Sequence, residues 1–168
     1  MLRILFATLT AIMLMLSNAT AQNLATPGGE IILTVSGAID ATNDGEKAVF
    51  DLGMLQALDR TTIETTTIWT EGTQVFQGVS LQVLMQQLGV EGGLLRATAI
   101  NDYAVEIPVS DAVASGPILA YLLNGETMSV RDKGPLWVIY PYDAKADYRS
   151  EVIYSRSIWQ LDRIEAIE

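Results

Sequence analysis

MSVRDKGPLWVIYPYD, residues Met128 to Asp143, decides how the rest of the chain reads. It opens with a charged turn, Arg131-Asp132-Lys133-Gly134, and Pro135 then leads an apolar run from Leu136 to Tyr140. Pro141 stops the run, and Tyr142 and Asp143 follow. A short apolar run rich in aromatic and β-branched residues, bounded by Gly-Pro and Pro, predicts a buried strand. Neither proline can donate a ladder hydrogen bond, so one suits the first strand position and the other the end. The turn before the strand and the residues after it are the kind of loop that carries binding side chains on a rigid scaffold. A core strand with solvated turns is the plainer alternative.

Upstream, Met1 to Ala21 carries a lone basic residue, Arg3, then an apolar run from Ile4 to Leu16, and ends on Ala19-Thr20-Ala21. This is the pattern of a secretory signal peptide, with cleavage expected after Ala21. The run is shorter than the roughly 20 residues of a membrane span. The expected organisation is a leader over residues 1–21, a linker over residues 22–29 and one folded domain over residues 30–168, exported and soluble.

The 168-residue chain carries 20 acidic and 10 basic residues, a net charge of −10, and loss of the leader removes only Arg3 from the basic side. That balance disfavours nucleic acid and anionic membrane surfaces as partners. The sequence has no Cys and no His. Disulfides, cysteine nucleophiles, thiolate ligands and the commonest general base are therefore excluded. An enzyme built on this chain would need carboxylates, Lys, Tyr or a serine activated without histidine.

Taken in order, Ile31 to Val35 reads as a strand, and Thr42-Asn43-Asp44-Gly45 as a turn. Asp51 is a candidate N-cap for a short helix with Leu52, Leu55 and Leu58 on one face. The Thr-rich tract from Thr61 to Thr70 favours extended chain, and Val75-Phe76 a further strand. Ser80 to Leu88 is the clearest helix, capped by Ser80 and ended by Gly89. Leu94 to Ile100 and Tyr103 to Ile107 form a hairpin about Asn101-Asp102, and Val109 to Ala114 suggests a helical turn. Ile118 to Leu123 is a strand leading into the hairpin dipeptide Asn124-Gly125. Ala144 to Arg149 reads as a polar loop and Ser157 to Ile167 as the last strand. The sum is a mostly β, mixed α+β domain with two or three short helices.

No Ser-His-Asp set, Cys-His pair, phosphate loop or HExxH motif is present. Asp102, Asp132 and Asp143 sit on turns, where Asp is common for backbone reasons alone. The aromatics Trp69, Tyr103, Tyr140, Tyr142, Tyr148, Tyr154 and Trp159 fall near strand ends or loops, interleaved with Arg131, Lys133, Arg149 and Arg156. A flat polar heterocycle wants an aromatic face and a carboxylate or amide at its edge. The rim of an ordinary core would carry the same residues.

Four segments, in this order, resemble the molybdopterin-binding domain of the sulfite oxidase family: GVSLQVLM from Gly78, AINDYAVEIPVSDA from Ala99, PILAYLLNGETMSVRDKGPLWVIYPYD from Pro117, and RSIWQLDRIEAI from Arg156. The resemblance covers Thr61 to Ile167 and implies a mixed, barrel-like β fold with a few short helices. The family's enzymes bind molybdenum through a cysteine upstream of the G-V-x-L helix, where this chain has Thr65-Thr66-Thr67. The family's D-G-Y becomes Asn101-Asp102-Tyr103, and two basic positions become Trp137 and Trp159. Loss of those bases removes partners for a cofactor phosphate.

More narrowly, RDKGPLWVIYPYD resembles short, exported proteins of this fold that lack the metal ligand. These are periplasmic pterin-binding regulators that act on the periplasmic region of a membrane enzyme making and degrading cyclic di-GMP, and so influence biofilm formation. The resemblance implies a pterin, reduced in form and without molybdenum, stacked on Trp69, Tyr142 or Tyr154. Asp102, Asp132 or Asp143 would hold its amino-pyrimidine edge. Arg156 and Ser157 match the family's cofactor loop, Tyr103 the hairpin, and Arg131 holds the turn or meets the ligand. Two alternatives stand beside this reading: a molybdopterin oxidoreductase without the cysteine, and a ligand-free interaction domain whose old pocket is filled by side chains.

Overall fold

The computed structural model describes residues 24–168, so the expected leader lies outside the described residues. β1 (Ile31–Gly37) alternates and buries Leu33 and Val35, while β2 (Ala48–Asp51) is buried along its length. Asp51 then starts α1 (Leu52–Ala57), its carboxylate accepting the Met54 amide at 2.8 Å. The same carboxylate accepts the Gly28 and Gly29 amides at 2.7 and 2.8 Å, which stitches the segment before β1 to the helix start. These amide donors, Met54 first, hold the Asp51 carboxyl below the usual carboxylate range.

β3 (Arg60–Thr66) and β4 (Thr73–Ser80) follow, then α2 (Leu81–Leu88). α2 buries Leu81, Leu84, Met85 and Leu88, the spacing that made it legible. Gly89 ends it at φ 74°, the left-handed position that favours glycine. Ser80 departs from expectation: its side chain makes no capping bond, and the first helical amide, of Leu81, donates instead to the Pro117 carbonyl at 3.0 Å. A neighbouring strand end already satisfies the orphan donor, so the hydroxyl is not needed.

β5 (Leu94–Ala99) and β6 (Ala104–Pro108) form the expected hairpin, with Asp102 at φ 66° in its turn, and a single 3₁₀ turn covers Val109–Asp111. β7 (Ile118–Leu123) and β8 (Glu126–Thr127) close on Asn124 and Gly125, whose φ values of 52° and 88° are those the tight turn demands. β9 (Trp137–Ile139) is the core of the opening stretch, shorter than the apolar run that announces it. α3 (Glu151–Arg156) was not expected; Ser150 caps it. β10 (Leu161–Ile167) starts later than expected, because Gln160 at φ 53° breaks the chain's extension after Ser157.

The strands make two five-stranded sheets rather than a closed barrel: β2-β1-β10-β5-β6, and β3-β4-β7-β8 with β9 also paired to β7. β1 and β10 are parallel; every other pairing is antiparallel. One apolar core spans both sheets. The opening stretch joins them. Val138 donates its amide to the Ile158 carbonyl at 2.9 Å, and Leu161 donates to the Leu136 carbonyl at 3.0 Å. Trp137 and Trp159 form a bridge between those bonds. The second sheet is thus hydrogen-bonded to the chain entering the central strand of the first.

Candidate functional site

Beside this seam lies a cleft of about 420 Å³. Ile68 and Trp69, just after β3, form one wall. Ala99, Asn101 and Tyr103 of the β5–β6 hairpin form another. Tyr154 and Ser155 at the end of α3, with Ser157 to Gln160, complete it. No lining side chain carries a formal charge.

Trp69 is the hub. It meets Trp137, Tyr154 and Trp159 edge to face with centroids 5.7 Å apart, and Tyr142 at 6.2 Å. Such geometry adds roughly 0.5–1.5 kcal/mol per pair beyond burial, so the cluster is stiff. Trp137 is fully buried, also against Phe76. Trp159 keeps 37% of its surface exposed, and Tyr103 keeps 57%. The Lys133 ammonium rides over Trp137 and Trp159, 5.7 and 5.6 Å from the ring centroids.

Of the residues singled out in the sequence, Trp69, Tyr103, Tyr154 and Ser157 meet at the cleft. Tyr142 lies behind it, buried, donating its hydroxyl to Ser157 Oγ at 2.7 Å; Ser157 in turn donates to the Ile153 carbonyl at 2.8 Å. Burial pushes the Tyr142 phenol up to about 12. Arg156 leaves the cleft wall to pair with Asp111 at 2.9 Å. The same Asp111 oxygen accepts the Tyr140 hydroxyl at 2.8 Å. Burial, then the bond to Asp111, raises the Tyr140 phenol far above its usual value.

The remaining four lie outside the lining. Asp102 is on the hairpin turn and pairs with Arg163 at 2.7 Å. Arg131 is exposed on the 3₁₀ turn Val130–Asp132, and Asp132 accepts the Ser129 hydroxyl at 2.6 Å. Asp143 accepts the amide of Thr66 at 2.6 Å and its hydroxyl at 2.9 Å, and these bonds hold its carboxyl low. Beside it, buried Thr65 receives the Asp143 amide at 3.2 Å and donates to the Thr66 carbonyl. The threonine tract is thereby tied to the loop after β9.

Sequence reasoning did not single out Ile68, Asn101 or Gln160 as site residues, nor Asp111 behind the wall. Asn101 reads in the sequence as a hairpin-turn residue and Trp159 as one of the strand-end aromatics, and both as departures from the family pattern. Nothing in the sequence signals Gln160, which enters the cleft through its left-handed backbone. Among the described residues no cluster of three or more His, Cys, Asp or Glu side chains is arranged to hold a metal ion.

One mixed and one antiparallel sheet, joined beside an aromatic, uncharged cleft, define an α+β domain with a candidate small-ligand site. The chain belongs to the oxidoreductase molybdopterin binding domain family, whose model matches residues 53–146. Trp159 and the α3 wall of the cleft lie beyond the matched stretch. Among solved structures the fold is similar to the sulfane dehydrogenase SoxCD from Paracoccus pantotrophus, with a TM-score of 0.58 and 19% identity. The match covers 80% of this chain but 37% of the other, so this chain spans well under half of that enzyme's length. No curated protein matches.

Proposed function

We propose that this domain binds a pterin and does no molybdenum chemistry. One observation carries the reading: the cleft presents aromatic faces (Trp69, Tyr103, Tyr154, Trp159) and neutral amides (Asn101, Gln160), with no charge in the lining. A bicyclic, uncharged heterocycle needs a face to stack on and donors and acceptors along its edge. The same residues do not suit a phosphate-bearing metal cofactor. The thiolate region of the family is threonine here, and Thr65 is buried with its hydroxyl engaged. The seam fixes the walls, so the cleft stays preformed and little ordering cost falls on the ligand.

The reading extends to a role: a periplasmic regulator of a membrane-bound cyclic di-GMP enzyme, acting through that enzyme's periplasmic region. This part is carried by the resemblance of Arg131 to Asp143 to such regulators. Ligand-linked regulation requires the partner to bind the two states of the domain unequally. Co-purification of the domain with solubilised membrane enzyme, with and without pterin, tests it; equal capture in both conditions removes the regulatory claim.

Titration of the purified domain with oxidised and reduced pterins, followed by tryptophan fluorescence and calorimetry, tests the binding claim. Saturable quenching is expected. A folded protein that binds no pterin, or one that carries stoichiometric molybdenum when taken from its native cell, sinks it. A second reading, a ligand-free interaction domain, draws on Trp69, Trp137 and Trp159 packing together where a cofactor would sit. Absence of any pterin from the native protein, together with a failed titration, would favour it.

A further inference from the structure

The arginines flanking the cleft are each masked by a carboxylate. Arg156 is placed between two lining residues, Ser155 and Ser157, yet its guanidinium turns to Asp111 at 2.9 Å. Behind the hairpin wall Arg163, itself outside the lining, donates to the Ala99 carbonyl at 2.9 Å and pairs with Asp102 at 2.7 Å. The two pairs differ in weight. Asp102 is 81% exposed, so water and salt already screen that pair. Arg156 and Asp111 are 23% and 18% exposed, and the Tyr140 hydroxyl on the same oxygen fixes the carboxylate in place. A charge held this way is unavailable to a ligand, and the carboxylate beside it repels an anion.

We propose that Asp111 is a specificity-determining residue: by binding Arg156 it makes the cleft reject ligands that carry a phosphate and accept their uncharged counterparts. The inference rests on the pterin reading and adds the ligand's charge class and the residue that sets it. Lys133 does not substitute for Arg156. Its ammonium is held over the rings of Trp137 and Trp159, 5.7 and 5.6 Å from their centroids, and it is not part of the lining. Asp111→Asn retains an acceptor for Tyr140 while removing the charge that holds the guanidinium of Arg156, a residue flanked on both sides by cleft-lining serines.

The test measures dissociation constants for hydroxymethylpterin and for its phosphate ester in the full chain. Wild-type protein is expected to prefer the uncharged ligand. Asp111→Asn is expected to shift the ratio toward the ester by roughly tenfold or more, the scale of one charge-assisted hydrogen bond. Adding Arg156→Gln to that variant is expected to return the ratio to the wild-type value, which a merely structural role for Asp111 would not produce. Should Asp111→Asn not fold, Asp111→Ser, which also lacks the carboxylate, carries the same expectation. Wild-type protein that binds the uncharged ligand, with an unchanged ratio in a folded Asp111 variant, overturns the assignment and leaves the pterin reading intact. Wild-type protein that prefers the ester also overturns it. A folded wild type that binds neither ligand overturns both.

Discussion

Trp137 and Trp159 are bridged through their backbones and meet edge to face, ring centroids 6.2 Å apart and planes at 87°. One is fully buried and the other is 37% exposed in the cleft. The pair divides the labour between core and site, and substitution separates the two. Trp137→Ala should cost about 3–5 kcal/mol in chemical denaturation. Trp159→Ala should cost less, about 1–3 kcal/mol from its two edge-to-face pairs, and weaken pterin binding roughly three- to tenfold. Equal losses of stability in the two variants would refute this division.

Burial of the Tyr142 and Tyr140 phenols predicts an alkaline limit to stability. Both phenols are raised in the folded state, Tyr142 to about 12, chiefly by burial. A raised folded value means that the stabilisation is fully present below the unfolded tyrosine value, about 10, and is lost as pH rises through the folded one. The melting temperature should therefore fall between about pH 10 and 12. Tyr142→Phe should flatten part of that fall. An unchanged alkaline profile in a folded variant would count against it.

At the acid end the signs reverse. Asp51 and Asp143 are held low by backbone amides, Met54 first for one and Thr66 first for the other. Their contribution is present above the ordinary carboxylate range and is lost as pH falls below about 4. Asp143→Ala should raise the acid midpoint and speed hydrogen exchange at the Thr66 amide. Its effect on pterin affinity should be small, since both carboxylate oxygens already serve Thr66. A large loss of affinity would restore Asp143 to the ligand's edge.

Gly78 sits where β4 shifts register against β7, and a Cβ there would collide with the Leu119 carbonyl. Gly78→Ala should abolish folded, soluble protein, read by circular dichroism and yield, because backbone cannot move aside as a side-chain tip can. Wild-type melting behaviour would show that the strand slips to accommodate it.

The elements legible in the sequence were those with local signatures. α2 showed its face by spacing, Asn124-Gly125 its turn by residue type, and β9 its burial by composition. α3 was missed because its six residues offer one buried side chain, Ile153, too few for a periodic pattern. The aromatics of the site were legible as a class. Their partners were not, because Asp111, Tyr140 and Arg156 converge from three separate elements, and pairing across such distances leaves no mark on spacing. Asp102 and Asp143 read equally well as ligands or turn residues, and only the positions of Arg163 and Thr66 distinguish the two.

The parallel pairing of β1 with β10 has a consequence for how the molecule comes into being. β10 is hydrogen-bonded between β1 and β5, so it completes the first sheet from the middle. A chain growing from its N-terminus carries β1–β2 and β5–β6 as two separate ribbons, each with a bare edge, until its last strand arrives. That strand begins directly after Ser157 to Gln160, the wall of the cleft that is hydrogen-bonded to Leu136 and Val138. Loss of Leu161–Ile167 would therefore part β1 from β5 and leave the Ser157–Gln160 wall of the cleft without the strand that follows it.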